Sequence, residues 1–179
     1  PHGTGPRLLR CDAVTAWAGL VPPVEVVWSG PEGPAPEHRT TSAVVQDLFR
    51  RFQARLLVST YNIDVGSRAD ELFGALAERM DRTPSLHVDL FLNVPARDGE
   101  APEAAVAHFR RRFVDHVWPG QRLPNVWYDP RSLADPTRRA VLHAKCVVAD
   151  RSEAFVTSAN FTEAAHARNV ELGLFVRDG

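Results

Sequence analysis

His143-Ala144-Lys145-Cys146-Val147-Val148-Ala149-Asp150, followed by Thr157-Ser158-Ala159-Asn160, is the stretch that decides how this chain folds. Lys145 is the single lysine of the 179 residues, although lysine and arginine together number 21. Every other basic position is arginine, so the retained lysine marks a place where a compact, strongly hydrated ammonium serves and a planar guanidinium does not. The run from His143 to Ala149 reads as an alternating or buried strand, which points His143 and Lys145 to one face. Asp150-Arg151-Ser152-Glu153 reads as a turn, and Ala154 to Ser158 as a second strand that brings Ser158 and Asn160 back beside the first. Asn169-Val170-Glu171 opens a third. One surface then holds an imidazole, an ammonium, a hydroxyl and a carboxamide. These are the groups that phosphoryl transfer without a metal requires: a nucleophilic nitrogen, and donors for the non-bridging oxygens on which charge develops. Glu171 is placed to hold the imidazole in one tautomer.

Each residue also has an ordinary reading. A lone strand histidine is commonly a hydrogen-bonded structural residue. Ser158 and Asn160 satisfy backbone groups at a strand end, and Asp150 suits a turn. The joint spacing carries the chemical reading. H-x-K, four residues, D, six residues, x-S-x-N and a downstream N-x-E resembles the HKD signature of the phospholipase D superfamily. The resemblance runs from about Val24 to Val176. It implies a phospholipase D-like α/β fold, no metal or other cofactor, and a covalent phosphohistidine on His143. Lys145 and Asn160 would then clamp the phosphate, Ser158 add a donor and Glu171 orient the imidazole. Asp150 belongs to the motif, with a structural rather than a contact role. Thr157 stands where that family commonly has glycine. A second set of segments, Val26-Val27-Trp28-Ser29-Gly30-Pro31, Arg39-Thr40-Thr41 and Tyr61-Asn62, resembles the phospholipase-D-like component of bacterial DISARM phage-defence systems, which implies other defence proteins as partners.

Outward from the motif, strand and helix patterns alternate. Val24 to Trp28 is a strand, and Gly30 to Pro36 a Pro-rich loop. Thr41 or Ser42 caps a helix through Phe52, and residues 55–63 form a buried strand. Residues 67–81 form an amphipathic helix with Leu72, Phe73, Leu76 and Met80 inward. A strand over 86–94, a helix over 102–116 and a strand over 125–128 follow. The alternation predicts an α/β fold with a mixed, largely parallel sheet flanked by helices. One domain over residues 1–179, with its core at about 24–176, accounts for the length.

A net charge of −1 gives no global pull toward nucleic acid. Local charge supplies it: Arg110 to Arg112, Arg131, Arg138 and Arg139 form a basic rim that suits a phosphate backbone, the last two as substrate-binding residues. The triplet reads equally as a solvated helix face. Cys11 and Cys146 are too few and too far apart for a disulfide framework or a zinc site. No apolar stretch reaches a membrane span and no leader pattern is present, so a cytoplasmic location without stable membrane insertion is expected. The leading function is a metal-independent phosphodiesterase acting on nucleic acid, single-stranded DNA before duplex, with Trp127 or Tyr128 as a base-stacking candidate. A phospholipid substrate and a non-catalytic assembly module are the alternatives. With one lysine there is one H-x-K per chain, so a two-histidine relay needs a second copy: a homodimer sharing one pocket.

Overall fold

The computed structural model of the chain describes residues 24–30, 39–134 and 140–178. Most of the Pro-rich loop, Cys11, Arg138 and Arg139 lie outside them. Seven strands form one sheet in the order β1-β7-β6-β5-β2-β3-β4. They are β1 (Val24–Ser29), β2 (Arg55–Ser59), β3 (His87–Phe91), β4 (Asn125–Trp127), β5 (Cys146–Ala149), β6 (Glu153–Thr157) and β7 (Glu171–Arg177). The helices are α1 (Thr41–Arg51), α2 (Ser67–Arg82), α3 (Pro102–His116) and the short α4 (Arg131–Ala134) and α5 (Glu163–Ala167).

The α/β architecture and the mixed sheet are those expected, but the balance of pairings differs. Parallel pairing is confined to β2-β3 and β3-β4, where α2 and α3 supply the crossovers. The strands that carry the motif pair antiparallel, as do β2 with β5 and β1 with β7. A connection as short as Asp150 to Ser152 permits only a hairpin.

Several boundaries also shift. β5 begins at Cys146, so His143 and Lys145 lie in the segment before the strand. β6 runs one residue earlier than expected, β3 is shorter, and β2 ends at Ser59, beyond which Ile63 bridges Phe161. The cap of α1 is Thr40, whose hydroxyl accepts the Ala43 N–H at 3.2 Å. Thr41 is buried, its N–H taken by Ser29 Oγ at 2.9 Å, which leaves the extended Thr40 to cap.

All the long helices pack on one face of the sheet. Val44, Val45, Leu48 and Phe49 of α1, Leu72, Phe73, Leu76 and Met80 of α2, and Phe113 of α3 form one cluster. Alternate strand residues join it: Val27, Leu56, Val58, Val88, Leu90, Val147, Phe155 and Phe175. The opposite face of β1, β7 and β6 presents Val24, Val26, Val156, Leu172 and Leu174, each 44 to 57 % exposed. The register sets Val26 opposite Leu174 and Leu174 opposite Val156, so these side chains make one apolar stripe.

Candidate active site

Hydrogen bonds to the backbone hold the site together. Asn93 donates from Nδ2 to the carbonyls of Tyr61 (3.0 Å) and Leu142 (2.8 Å), and its Oδ1 accepts the Leu142 N–H at 3.0 Å. Ser59 Oγ donates to the Ala144 carbonyl at 2.9 Å, and the Thr157 N–H to the Lys145 carbonyl at 3.1 Å. The irregular segment carrying His143 and Lys145 is thereby pinned to the ends of β2, β3 and β6. Ser158 N–H donates to the Leu172 carbonyl at 3.0 Å, which ties the S-x-N segment to β7 at the same end of the sheet.

Two side-chain clusters result. In the first, Lys145 is buried at 6 % exposure, with Nζ donating to the His143 carbonyl at 2.9 Å. The same ammonium lies 3.2 Å from Nδ1 and 3.4 Å from Nε2 of the His143 ring. The Tyr61 ring flanks the pair, its centroid 5.3 Å from that of the imidazole and 6.0 Å from Nζ. In the second, Ser158 Oγ donates to Glu171 Oε2 and accepts the Leu172 N–H at 3.2 Å, while Asn169 Nδ2 donates to Glu171 Oε1 at 3.3 Å. Glu171 is thus engaged by Ser158 and Asn169, both oxygens taken, and among the described residues no hydrogen bond joins it to His143. Asn160 follows directly after Ser158 and Ala159, and its Oδ1 is buried with no partner among the described residues. A buried amide oxygen left unmet costs about 1–3 kcal/mol and takes only a donor, so any contact of this carboxamide with a phosphate oxygen falls to its Nδ2.

Asp150 stands apart from both clusters. It lies at the other end of β5, with Asp150 and Arg151 at φ 53° and 63°, in the left-handed region that aspartate tolerates in turns. Its carboxylate accepts the N–H groups of Gln53 (2.6 Å), Ala54 (2.8 Å) and Arg55 (2.9 Å). Burial pushes this carboxyl upward. The N–H groups of Arg55, Gln53 and Ala54, with the charge of Arg79, outweigh that and hold it below the ordinary carboxylate value. The residue that completes the motif therefore staples the α1–β2 junction to the β5–β6 turn.

Other expected residues fall as follows. Arg110, Arg111 and Arg112 are all exposed, fanned around α3 by its pitch. Arg112 lines a small hollow with Tyr61 and Asn93, whereas Arg110 borders the apolar groove of Val94, Phe109 and Tyr128. Arg131 is paired with Asp129 at 2.6 Å. Trp127 is 51 % exposed, stacked on Phe91 with its N–H donated to Asp89 at 2.8 Å. It sits on β4, three strands from β5, about 14 Å at ordinary strand spacing. Cys146 is half-buried, and burial pushes its thiol pKa up, as befits a packing residue. His166 was not singled out by its spacing. Burial pushes its pKa down against the opposing pull of Glu171 and Asp64, and its Nε2 is buried without a partner among the described residues. Tyr61, Asn93 and Ser59 were also outside the motif, since nothing in their local sequence reveals which distant loop they hold.

Comparison with known proteins shows what these features are similar to. Residues 97–179 match the profile described as cardiolipin synthase, PLD-like domain. The chain is 28 % identical over 142 residues to the DISARM protein DrmC of Bacillus paralicheniformis, a match over 77 % of this chain and 50 % of that protein. It thus spans about half the length of this curated relative. The fold is shared with the phospholipase D family member Nuc from Salmonella typhimurium (TM-score 0.55, 18 % identity, 88 % of this chain and 84 % of that one). NucT from Helicobacter pylori superposes with TM-score 0.51 at 13 % identity, over 76 % of each chain. Phosphatidylserine synthase of Haemophilus influenzae gives 0.53 at 18 % identity, over 87 % of this chain and 34 % of that one.

Proposed function

We propose that this chain is a member of the phospholipase D superfamily, which it resembles in its C-terminal half and in fold, and that it is a metal-independent phosphodiesterase that cleaves nucleic acid, single-stranded DNA before duplex, through a phosphohistidine on His143. One observation carries the reading: the only lysine of the chain is buried with its ammonium against both ring nitrogens of an exposed histidine. In the first half-reaction an imidazole nitrogen of His143 gives its lone pair to phosphorus, and the bond from phosphorus to the leaving oxygen breaks. A second imidazole gives that oxygen its proton. In the second half, water attacks the phosphohistidine, the same second imidazole takes the water proton, and His143 is released with a phosphomonoester. Lys145 and the Asn160 carboxamide stabilise the non-bridging oxygens, and Ser158 adds a donor, in the place a cation would otherwise fill. Glu171 holds Ser158 and Asn169 rather than the imidazole. Its role is to shape the donor side of the pocket.

The second imidazole is His143 of another copy, in a homodimer about one shared pocket. Supporting this is the apolar stripe of Val24, Val26, Val156, Leu172 and Leu174, which adjoins Ser158 through the Leu172 N–H. Nucleic acid is favoured over phospholipid by the exposed Arg112, which lines a hollow with Tyr61. The likeness to a DISARM protein supports a place in phage defence, with partner proteins of that system.

The test is to quench turnover on a labelled oligonucleotide and map the covalent phosphoenzyme. Label on His143, with the rate unchanged in excess chelator, is expected. Cleavage of phosphatidylcholine vesicles but of no oligonucleotide would reverse the substrate assignment. Turnover of neither, by a dimeric preparation supplied with its partners, would make the chain a non-catalytic module.

A further inference from the structure

We propose that Tyr61 is the substrate-recognition platform of this site, stacking the base of the nucleotide next to the scissile phosphate; the assignment rests on the nucleic-acid reading above. Three observations point to it. Its ring lies against the nucleophile, 5.3 Å between centroids with the planes 55° apart, so a phosphate at His143 leaves the adjoining nucleoside within reach of the ring. The ring is 42 % exposed, so one side packs on His143 and Lys145 and the other is open.

The backbone beneath it is also fixed, and stacking depends on a ring that need not be ordered on binding. The fully buried Thr60 donates Oγ1–H to the Asn62 carbonyl at 2.8 Å and accepts the Phe161 N–H at 3.1 Å, and its own N–H is held by the Phe91 carbonyl at 3.2 Å. Asn93 then binds the Tyr61 carbonyl and the Leu142 backbone together, so the platform and the nucleophile share one anchor. Arg112, which lines a hollow with Tyr61 and Asn93, supplies a cation for the neighbouring phosphate. Every base has an aromatic face, so such a platform reads single strands without sequence preference, and a paired base cannot reach it. Trp127 and Tyr128, exposed as well, lie on and just after β4, the strand at the edge of the sheet, and among the described residues only Tyr61 has a ring contact with His143.

The experiment compares binding of a single-stranded oligothymidylate with that of an abasic oligomer of the same length, in a His143→Asn background that prevents turnover. The base-bearing strand is expected to bind more tightly, and adding Tyr61→Ala to lower its affinity about five- to a hundredfold while leaving the abasic strand almost unmoved. Tyr61→Phe should restore the preference, because the ring and not the hydroxyl acts; in the active enzyme, Tyr61→Phe should keep KM and Tyr61→Ala raise it. Equal affinity for both strands before and after Tyr61→Ala overturns the stacking role and leaves the nuclease reading standing. Loss of the preference in Tyr61→Phe overturns it as well. Binding of neither strand removes the nucleic-acid reading and this assignment with it.

Discussion

The contact between Lys145 and His143 concentrates the chemistry of this protein into two side chains. The ammonium is the only buried cation that faces the imidazole among the described residues, and three atoms of His143 lie within 3.4 Å of it. That geometry suits a compact head with three rotatable donors. A guanidinium would present a planar fork in place of a point donor, beside the Tyr61 ring, whose centroid is 6.0 Å from Nζ. Lys145→Arg should therefore keep the charge and lose the function, with kcat lower by about a hundredfold or more, the range seen when a donor to a developing oxyanion is removed. Circular dichroism superimposable on wild type would show that the fold survives. A kcat within a few-fold of wild type would mean that charge alone matters here. His143→Ala removes the nucleophile itself and should leave no phosphoenzyme at all.

At the scale of elements, the β5–β6 hairpin carries the motif and Asp150 fixes it to the rest of the sheet. Its carboxylate accepts three backbone N–H groups and is held below its ordinary pKa. The folded value lies below the unfolded one, so this stabilisation is complete above about pH 4 and is lost as the pH falls through the folded value. Asp150→Asn should lower the melting temperature at pH 7, and the gap from wild type should shrink as the pH is taken below 4; a constant gap would show that the charge is not involved. β7 makes a second demand. A Cβ on Gly173 would sit 2.5 Å from Phe155 Cε2 and 2.9 Å from the Val156 carbonyl oxygen, and Phe155 is fully buried. Gly173→Ala should cost about 1–3 kcal/mol by overpacking, measured by denaturant titration. These elements show what the sequence made legible. The apolar period found α2 with its inward residues and placed α3 and β1 almost to the residue, because burial alone determines those patterns. The spacing of the motif brought His143 to Lys145, but it set Glu171 on the imidazole, whereas that carboxylate takes Ser158 and Asn169. The cap at Thr40 was missed because Ser29, a residue of β1, takes the Thr41 N–H, a contact absent from the local sequence. Sheet direction was misjudged for a similar reason: alternating strands and helices suggest crossovers, while the hairpins follow from loop length. Tyr61 and Asn93 act across 32 residues, a separation at which no periodicity operates.

For the whole molecule, the decisive fact is that, among the described residues, no long helix covers the second face of β1, β7 and β6. α1, α2 and α3 cover one side, while Val24, Val26, Val156, Leu172 and Leu174 line the other across three adjacent strands. Apolar stripes of this kind on a sheet face mark contact with another surface, and this one adjoins Ser158 through the Leu172 N–H. A second copy laid there would cover the stripe and bring a second imidazole to the phosphate, beside the one H-x-K of these 179 residues. Two measurements follow from this. Leu172→Glu with Leu174→Glu places two charges on the stripe without touching the packed face, so light scattering should show a monomer, and phosphodiesterase activity should fall away while the circular dichroism is retained. Mixing is the sharper of the two. If both histidines of a pair are needed, exchanging wild-type protein with an increasing share of His143→Ala should make the activity per total protein fall as the square of the wild-type fraction, because only wild-type pairs carry two imidazoles. A linear fall would mean that each chain works alone, and a fully active monomer in the scattering experiment would require the leaving-group proton to come from within one chain.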